Sequence, residues 1–442
     1  MKNILVIGAG RSATSLISYL LNNAKTNNWF VSVADYSLSL AEEAISQNTR
    51  GRALFFDVND NNQRYEEIKK SDIIVSMLPA SMHILVAKDC ISLKKNLVTA
   101  SYVSDEILQL DDKAKENGVL LLNEIGLDPG IDHMSAMQII DDIKEKGGKL
   151  TSFKSFCGGL IHPDYDNNPW NYKFTWNPRN VILAGQGVAQ FIEGGEIKYV
   201  PYNNLFERVE NMDVLKVGSF EAYANRDSLS YINSYDIEGI ETLIRGTLRR
   251  KGYCNSWNYF IQLGLTDNSY IIQNSEFLTY REYINMFLPY SHKLSVEEKF
   301  CRKFGLSEKS EAFNKFVWLD LFTDKKVEVK NATPAQILQK ILEEKWSLSK
   351  GDRDMIVMQH QFIYNLNGKC NKLKSSLVVY GDNQKHTSMA KTVGLPVAIA
   401  VKLILNGEIS SIGVKIPTTK DIYIPVLKEL SENGLNFVEE TN

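Results

Sequence analysis

Residues 1–123 alternate short apolar runs with amphipathic segments, which is the pattern of parallel strands joined by helices. The runs predicted as strands are 4–7, 30–34, 53–56, 72–79, 96–102 and 119–123. Continuously apolar strands are typical of a sheet that helices cover on both faces. We therefore predict an α/β fold with a doubly wound Rossmann domain, in which ligands bind beyond the carboxyl ends of the strands.

The first strand ends in a glycine-rich turn, Gly8-Ala-Gly-Arg-Ser-Ala13, which opens an amphipathic helix through Leu20. Gly8 permits the tight turn, Gly10 lets the backbone approach a pyrophosphate, and Ala13 permits close packing of the helix on the strand. Because a strand precedes this GxGxxA pattern and a helix follows it, the pattern predicts dinucleotide binding at the helix N-terminus. Arg11 and Ser12 belong to the same predicted cofactor site.

Asp35 ends the second strand, near the offset from Gly10 that dinucleotide-binding sites show. An acidic residue there accepts hydrogen bonds from the adenosine ribose and repels a 2′-phosphate, so we expect NAD rather than NADP. The alternative is that Asp35 only caps the next helix. Asp57, after the third strand, is predicted near the adenine, and Leu78, before a proline turn, near the nicotinamide.

The stretch Leu121–His133 contains a buried strand that gives way to a turn fixed by Pro129 and Gly130. Four polar side chains surround this turn: Glu124, Asp128, Asp132 and His133. Since it follows the last Rossmann strand, we predict that substrate meets cofactor here. An ordinary turn capped by carboxylates is the alternative, and we expect His133 to cap the following helix or to bond backbone.

The pattern changes near Lys149 to longer, aromatic-rich strands, which indicates a second α/β domain with a mixed or antiparallel sheet. Residues 296–348 are mostly helical, and Thr333-Pro-Ala-Gln336 is a capping box with proline at the first helical position. Residues 377–380 form a returning strand. Helices within 389–406 and 423–433 are predicted to fold back on the Rossmann domain.

The chain has 442 residues, enough for two or three domains. It carries 50 Lys and Arg against 53 Asp and Glu, a net charge of −3, which gives no general attraction to nucleic acid or anionic membranes. Its five cysteines form no CxxC pair and its six histidines no HxxxH pair, so no metal site is predicted. We expect a cytoplasmic protein with reduced thiols, without a signal peptide or membrane span.

Taken together, the motifs resemble the saccharopine dehydrogenases of the L-glutamate-forming kind. The similar stretches keep the family order across nearly the whole chain: 8–13, 99–104, 123–133, 155–160, 168–179, 223–228, 245–249 and 390–396. The resemblance implies three parts: a Rossmann domain (1–128 with 390–442), a mixed-sheet substrate and dimerisation domain (129–290 with 351–389) and a small helical subdomain (291–350). It also implies a homodimer and NAD(P)-dependent oxidation of L-saccharopine to L-glutamate and 2-aminoadipate 6-semialdehyde, or the reverse reaction.

The resemblance also implies roles for particular residues. Saccharopine has three carboxylates, which suit planar guanidinium groups. The implied substrate residues are Ser101, Tyr102, Asp128, Arg226, Thr247, Leu248 and Arg249, and Trp176 is an implied cofactor residue. Asp128, Tyr102 and Cys157 are the candidates for proton transfer, with water as an alternative. Lys173 and Arg179 contact cofactor or substrate, or pair with Asp164 and Asp166.

Each of these residues also has a structural interpretation. An arginine on a strand is commonly a surface residue, Cys157 a small buried side chain, and Ser101 and Tyr102 strand-end hydroxyls bonded to backbone. The sequence departs from the family pattern at Ala100, at Asn177-Pro178 and at Asp35, which resembles NAD-using, lysine-degrading members. Two alternatives stay open: an imine reductase like carboxynorspermidine dehydrogenase, expected to lack the arginines, and a non-catalytic dinucleotide-sensing regulator.

Overall fold

The computed structural model describes residues 1–184 and 186–441, so Asn442, the last residue of the predicted Rossmann domain, lies outside the described part. The chain divides into two compact units. The first unit comprises Met1–Leu150, Asn233–Ile237 and Ile363–Asn442, and the second comprises Thr151–Ile232 and Glu238–Phe362. The three-part division given above stays a prediction.

The chain begins with alternating strands and helices. They are β1 (Lys2–Ile7), α1 (Thr14–Asn23), β2 (Trp29–Asp35), α2 (Leu38–Ile45), β3 (Gly51–Phe55), α3 (Asn61–Lys69), β4 (Ile73–Ser76), α4 (His83–Ser92), β5 (Asn96–Val98), α5 (Asp105–Leu108), α6 (Asp111–Glu116), β6 (Leu120–Leu122) and α7 (Ile131–Glu145). Each predicted strand is present, although β4, β5 and β6 are shorter than their apolar runs suggested.

Longer strands and the remaining helices follow. They are β7 (Lys149–Ile161), α8 (Pro178–Leu183), β8 (Val188–Glu193), β9 (Glu196–Pro201), α9 (Tyr202–Leu205), β10 (Glu210–Val214), β11 (Gly218–Ala224), α10 (Tyr231–Ser234), β12 (Thr242–Arg250), α11 (Tyr253–Leu263), α12 (Tyr280–Asn285), α13 (Val296–Phe304), α14 (Glu311–Trp318), α15 (Pro334–Trp346), β13 (Asp354–Leu366), β14 (Lys369–Tyr380), α16 (Ser388–Leu405), β15 (Gly413–Lys415), α17 (Lys420–Glu432) and β16 (Phe437–Thr441).

The first unit is built on a seven-stranded sheet in the order β15-β6-β5-β4-β1-β2-β3. Every neighbouring pair in this sheet is parallel. Strand β1 lies between β4 and β2, and its residues Ile4–Ile7 are fully buried, as a strand covered by helices on both faces requires. The predicted doubly wound sheet is therefore confirmed. The seventh strand, β15, was not predicted, because three residues carry too little periodicity to detect.

Helix α16 packs closely on α1, as the sequence predicted for the C-terminal segment. A Cβ added to Gly394 of α16 would lie only 2.7 Å from the backbone nitrogen of Leu16 in α1. The absence of a side chain at Gly394 thus sets how near the two helix axes come. Since the glycine loop leads into α1, the C-terminal segment supports the element that carries this loop.

Helix α16 is also long and apolar enough to cross a membrane by length and composition. It has 18 residues, and 72% of this stretch is buried inside the protein. A core helix passes the same test, so the feature is weak evidence for a membrane span. No other helix of the described residues meets these criteria.

The second unit contains the mixed sheet that the sequence predicted. Its strands follow the order β10-β11-β12-β7-β13, and β8 pairs with β12 and β9. Strands β12 and β7 run parallel, whereas β11 and β12 run antiparallel. The sheet shares one hydrophobic core with helices α11 to α15, in which Trp170, Trp257 and Trp346 are fully buried. The predicted capping box at Thr333 and Gln336 is present at the start of α15.

Candidate functional site: a dinucleotide loop and two clusters of polar residues

The glycine loop lies at the carboxyl end of β1. Gly8 has φ +105°, and a Cβ there would lie 2.8 Å from the carbonyl oxygen of Met77, so only glycine fits. A Cβ at Gly10, by contrast, would meet no atom within 4 Å. Gly10 therefore faces open space, as a backbone that receives a pyrophosphate must. Ala13 is buried, while Arg11 is exposed and Ser12 half-buried.

Asp35 joins the glycine loop to the start of α2. Its Oδ2 accepts a hydrogen bond from the Ala9 N–H at 2.7 Å, and its Oδ1 accepts one from the Ser37 N–H at 2.8 Å. The carboxylate thus links the loop to Ser37, the N-cap residue of α2, and is not itself the helix cap that the structural alternative proposed. A carboxylate offers about four lone-pair sites, so these two bonds leave acceptor capacity for ribose hydroxyls.

The other predicted cofactor residues of this unit follow strands of the same sheet. Asp57 comes after β3, and its Oδ1 accepts hydrogen bonds from the backbone and the side chain of Asn59. Leu78 comes after β4 and is half-buried. Strand, glycine turn and helix therefore stand in the arrangement that a dinucleotide requires, and the residues present fit such a cofactor.

Tyr102 and Asp128 lie together in the first unit. The Tyr102 hydroxyl donates a hydrogen bond to Asp128 Oδ1 at 3.3 Å, and both side chains are half-buried. The peptide bond between Asp128 and Pro129 is cis. A Cβ on Gly130 would overlap the backbone of Gly126, so the turn that carries Asp128 is too tight for any other residue at that position. The structure thus brings together two predicted proton-transfer candidates.

Glu124 and His133 form a buried network beneath this turn. Glu124 Oε2 and His133 Nε2 are 2.9 Å apart, and Glu124 Oε1 accepts a hydrogen bond from the Val103 N–H at 3.0 Å. On its other side, His133 Nδ1 lies 2.6 Å from the Tyr235 hydroxyl. The His133 ring therefore bonds side chains, where the sequence suggested a helix cap or backbone. This network ties the segment after β5 to the start of α7.

Ser101 belongs to a second network, which the sequence analysis missed. Its hydroxyl oxygen lies 2.7 Å from Nε2 of His83, and His83 Nδ1 lies 2.8 Å from the Ser76 hydroxyl oxygen. Burial lowers the pKa of His83 to about 4, so this imidazole is neutral at physiological pH. A lone histidine at the start of a helix gives no sequence signal. The available signal was that Ser76 ends β4 and Ser101 follows β5.

The predicted substrate residues of the second unit are divided between β12 and the end of β11. Cys157 of β7 stands opposite Thr247 of β12 in the parallel register, and Leu248 is fully buried. Cys157 is 7% exposed, as a small buried side chain would be. Arg226 follows β11 in a left-handed conformation (φ +51°), and its side chain is exposed.

Arg249 is only 5% exposed and lies within a group of tyrosines. Its guanidinium carbon is 5.3 Å from the ring centroid of Tyr172, 5.4 Å from that of Tyr253 and 6.0 Å from that of Tyr223. Nη1 donates to the Leu248 carbonyl oxygen at 2.9 Å, whereas Nε has no hydrogen-bond partner among the described residues. A buried cation held by aromatic faces with one donor unused is suited to an anionic oxygen.

Three further residues with predicted roles lie in this unit. Trp176 is half-buried and packs at the edge of the hydrophobic core. Lys173 does form an ion pair, but with Asp352, at 2.7 Å, rather than with Asp164 or Asp166. Arg179 donates to the side-chain oxygen of Asn268. The two ends of the Lys173–Asp352 pair are distant in sequence, so local spacing could not reveal it.

Two family models match the chain. The family model described as "Saccharopine dehydrogenase NADP binding domain" matches residues 4–122, and the one described as "Saccharopine dehydrogenase C-terminal domain" matches residues 126–435. Together they cover both the glycine loop and the residues of the second unit.

Two fungal relatives match the chain along its full length. Both are named saccharopine dehydrogenase [NADP(+), L-glutamate-forming]. The protein of Schizosaccharomyces pombe is 33% identical over 452 residues, covering 100% of this chain and 99% of that protein. The protein of Saccharomyces cerevisiae is 34% identical, again covering 100% and 99%. An Arabidopsis thaliana protein named alpha-aminoadipic semialdehyde synthase is 34% identical, but this chain spans only 44% of its length.

Solved structures are also similar to this chain. The apo saccharopine dehydrogenase (L-Glu forming) of Saccharomyces cerevisiae matches with a TM-score of 0.90 and 32% identity over the whole of both chains. A homospermidine synthase of Legionella pneumophila, solved with NAD, has a TM-score of 0.57 at 9% identity and shares the fold alone. From the two family models and the full-length relatives, we conclude that this chain belongs to the saccharopine dehydrogenase family.

Proposed function

We propose that the protein is an L-glutamate-forming saccharopine dehydrogenase. It oxidises the secondary amine of L-saccharopine to an imine, whose hydrolysis gives L-glutamate and 2-aminoadipate 6-semialdehyde, or it catalyses the reverse. The observation that carries this proposal is the full-length similarity to relatives named for this activity. That similarity disfavours a carboxynorspermidine dehydrogenase or a regulator without activity.

The chemistry of the clusters supports this substrate. Arg226 and Arg249 supply guanidinium groups for carboxylates, and the unused Nε donor of Arg249 suits an acceptor oxygen. Asp128 supplies a negative charge for an ammonium or amine, and the Tyr102 hydroxyl, bonded to Asp128, is placed to donate or accept a proton. A bound dinucleotide supplies the hydride acceptor. The role of this chain is otherwise to position the reacting groups.

We further propose that NAD is the preferred cofactor. The matching family model and the fungal relatives carry NADP in their names, so this preference rests on the chain's own residues. Asp35 places a negative charge beside the glycine loop, where a 2′-phosphate would be repelled. Tyr36, which follows it, carries no positive charge to offset this repulsion.

Two further proposals concern the oligomeric state and the location in the cell. A homodimer is proposed from the family resemblance alone, and analytical ultracentrifugation at several protein concentrations tests it. A cytoplasmic location is proposed because all five cysteines are free thiols, four of them buried. Localisation of a fluorescently tagged chain in its own cells tests the second proposal.

The deciding experiment follows absorbance at the NADH band with purified protein, L-saccharopine, and NAD or NADP in parallel. We expect turnover with L-glutamate as a product and a higher kcat/KM with NAD. Arg226→Gln should raise KM for saccharopine while leaving dinucleotide affinity unchanged. Absence of turnover with both cofactors, from protein shown to bind a dinucleotide, would contradict the proposed activity. A preference for NADP would contradict only the role of Asp35.

A further inference from the structure

Three side chains of the first unit form a continuous hydrogen-bonded series. Ser76 ends β4, His83 begins α4, and Ser101 follows β5. The Ser76 hydroxyl oxygen is 2.8 Å from His83 Nδ1, and His83 Nε2 is 2.7 Å from the Ser101 hydroxyl oxygen. Ser76 is 0% exposed and His83 is 1% exposed, whereas Ser101 is half-buried. The series therefore starts in the core and ends at a side chain that a ligand can reach.

The surroundings of His83 determine its protonation. Burial lowers its pKa to about 4, so at neutral pH the ring carries one N–H and one lone pair. Such a ring between two hydroxyls allows two arrangements. In one, Nδ1 accepts from Ser76 and Nε2–H donates to Ser101. In the other, Nδ1–H donates to Ser76 and Nε2 accepts a hydrogen bond from the Ser101 hydroxyl.

Ser76 selects between these arrangements. Within the described residues, the hydrogen-bond partner of its hydroxyl is His83 Nδ1. If Ser76 accepted from the ring, its own proton would be buried without an acceptor, which costs on the order of the desolvation penalty of a polar group. Ser76 therefore donates a hydrogen bond to Nδ1, and Nε2 carries the ring proton. The Ser101 hydroxyl oxygen accepts the hydrogen bond from Nε2–H. The hydroxyl proton of Ser101 is then left to donate away from His83.

We propose that His83 is a positioning residue, which holds the Ser101 hydroxyl as a hydrogen-bond donor to a carboxylate oxygen of the amino-acid substrate. This rests on the proposed function, because it requires that substrate reach Ser101. A carboxylate is the strongest acceptor that this substrate offers, and a donor fixed before binding loses little entropy on contact. The alternative acceptor for the Ser101 hydroxyl is an oxygen of the bound dinucleotide.

Two amide replacements of His83 separate positioning from packing. In His83→Gln, the terminal amide reaches the place of Nε2 and keeps a donor for Ser101. In His83→Asn, it reaches only the place of Nδ1 and keeps the contact with Ser76. We expect H83N and Ser101→Ala each to raise KM for saccharopine about tenfold or more, the loss of one hydrogen bond to a charged group. H83Q should recover most of this loss, and kcat should change less than KM.

The control is Ser92→Ala, which replaces an exposed serine at the end of the same helix. The double variant H83N/S101A should bind saccharopine as weakly as either single variant, because both remove the same bond. Additive losses, or equal losses in H83N and H83Q, would overturn the positioning role. A rise in KM for NAD instead of saccharopine would overturn the carboxylate assignment. If the wild-type enzyme fails to oxidise saccharopine, the proposed function and this inference fall together.

A spectroscopic readout tests the tautomer without reference to activity. Selective ¹⁵N labelling of the six histidines, with H83Q to assign the signal, reports which ring nitrogen of His83 bears the proton. We expect protonated Nε2 and unprotonated Nδ1 in the wild-type protein. Ser76→Ala should admit the second tautomer. A wild-type ring protonated at Nδ1, or at both nitrogens at neutral pH, would overturn the inference.

Discussion

The Asp35 carboxylate accepts a hydrogen bond from the backbone N–H of Ala9, with 2.7 Å between Oδ2 and the nitrogen. This bond places a negative charge directly beside the glycine loop and also fixes the loop relative to β2. Asp35 therefore has a structural role at the loop in addition to the cofactor-selecting role proposed for it. A variant has to separate the two.

Asp35→Asn removes the charge and keeps one side-chain oxygen for Ala9. Because the repulsion of a 2′-phosphate disappears, we expect the preference for NAD over NADP in kcat/KM to fall by about tenfold, near 1.4 kcal/mol. Adding Tyr36→Arg should move the preference further toward NADP by supplying a cation for the phosphate. Tyr36→Arg alone is the matched control. An unchanged ratio in D35N would show that the carboxylate acts only on the loop.

Glu124 is the next residue to test, since it bonds both Val103 and His133. Glu124→Ala leaves the Val103 N–H and a buried imidazole nitrogen without these partners, so we expect a loss of about 2–4 kcal/mol in the free energy of unfolding. Activity should fall too, because the network holds the segment of Tyr102 and the turn of Asp128. Urea unfolding with Glu116→Gln, an exposed glutamate, as control measures the first effect. A loss below 0.5 kcal/mol contradicts the network's importance.

The sequence was sufficient for the Rossmann sheet because each strand is a separate apolar run next to a polar turn. It also located Tyr102 and Asp128, whose contact follows from strands that end at one edge of a sheet. It could not find β15, which has only three residues and joins the sheet beside β6 from the far end of the chain. Strand pairing over such a distance leaves no local periodicity.

Buried polar partners were equally hidden from the sequence. The two predicted alternatives for Lys173 were a contact with cofactor or substrate and a pair with Asp164 or Asp166, whereas its partner in the structure is Asp352, 179 residues away. His83 sits among apolar helical residues, where a histidine is ordinarily only part of the core. Its role can be recognised only from the pairing of β4 with β5, because this pairing brings Ser76 and Ser101 to either side of the ring.

Gly394 offers a test of the support that the C-terminal segment gives the glycine loop. Gly394→Ala would ordinarily stabilise a helix by roughly 1 kcal/mol. Here the new methyl group would meet the Leu16 backbone, so we expect the opposite sign: a loss of about 1–3 kcal/mol in unfolding free energy. Dinucleotide affinity, measured by quenching of tryptophan fluorescence, should weaken because α1 is displaced. A stabilised variant with normal affinity would show that the helices can separate at no cost.

His83 also makes the stability of the protein depend on pH. Its pKa in the folded protein is about 4, below the ordinary value of 6.5, because burial disfavours the charged ring. Between pH 6.5 and pH 4 the unfolded chain therefore binds a proton that the folded protein does not bind. The folded state loses stability as pH falls through this range. At about 1.4 kcal/mol for each pH unit, this loss reaches about 2 kcal/mol at pH 5.

His83→Gln removes the titrating ring, so we expect its unfolding free energy to fall by about 2 kcal/mol less than that of the wild type between pH 7 and pH 5. Urea unfolding at the two pH values measures the difference. Ser101→Ala is the matched control, because it removes a partner of the ring but keeps the buried imidazole, and should retain most of the acid loss. If H83Q loses as much stability as the wild type, the pKa of His83 in the folded protein lies near its ordinary value, and burial does not keep the ring neutral between pH 6.5 and pH 5.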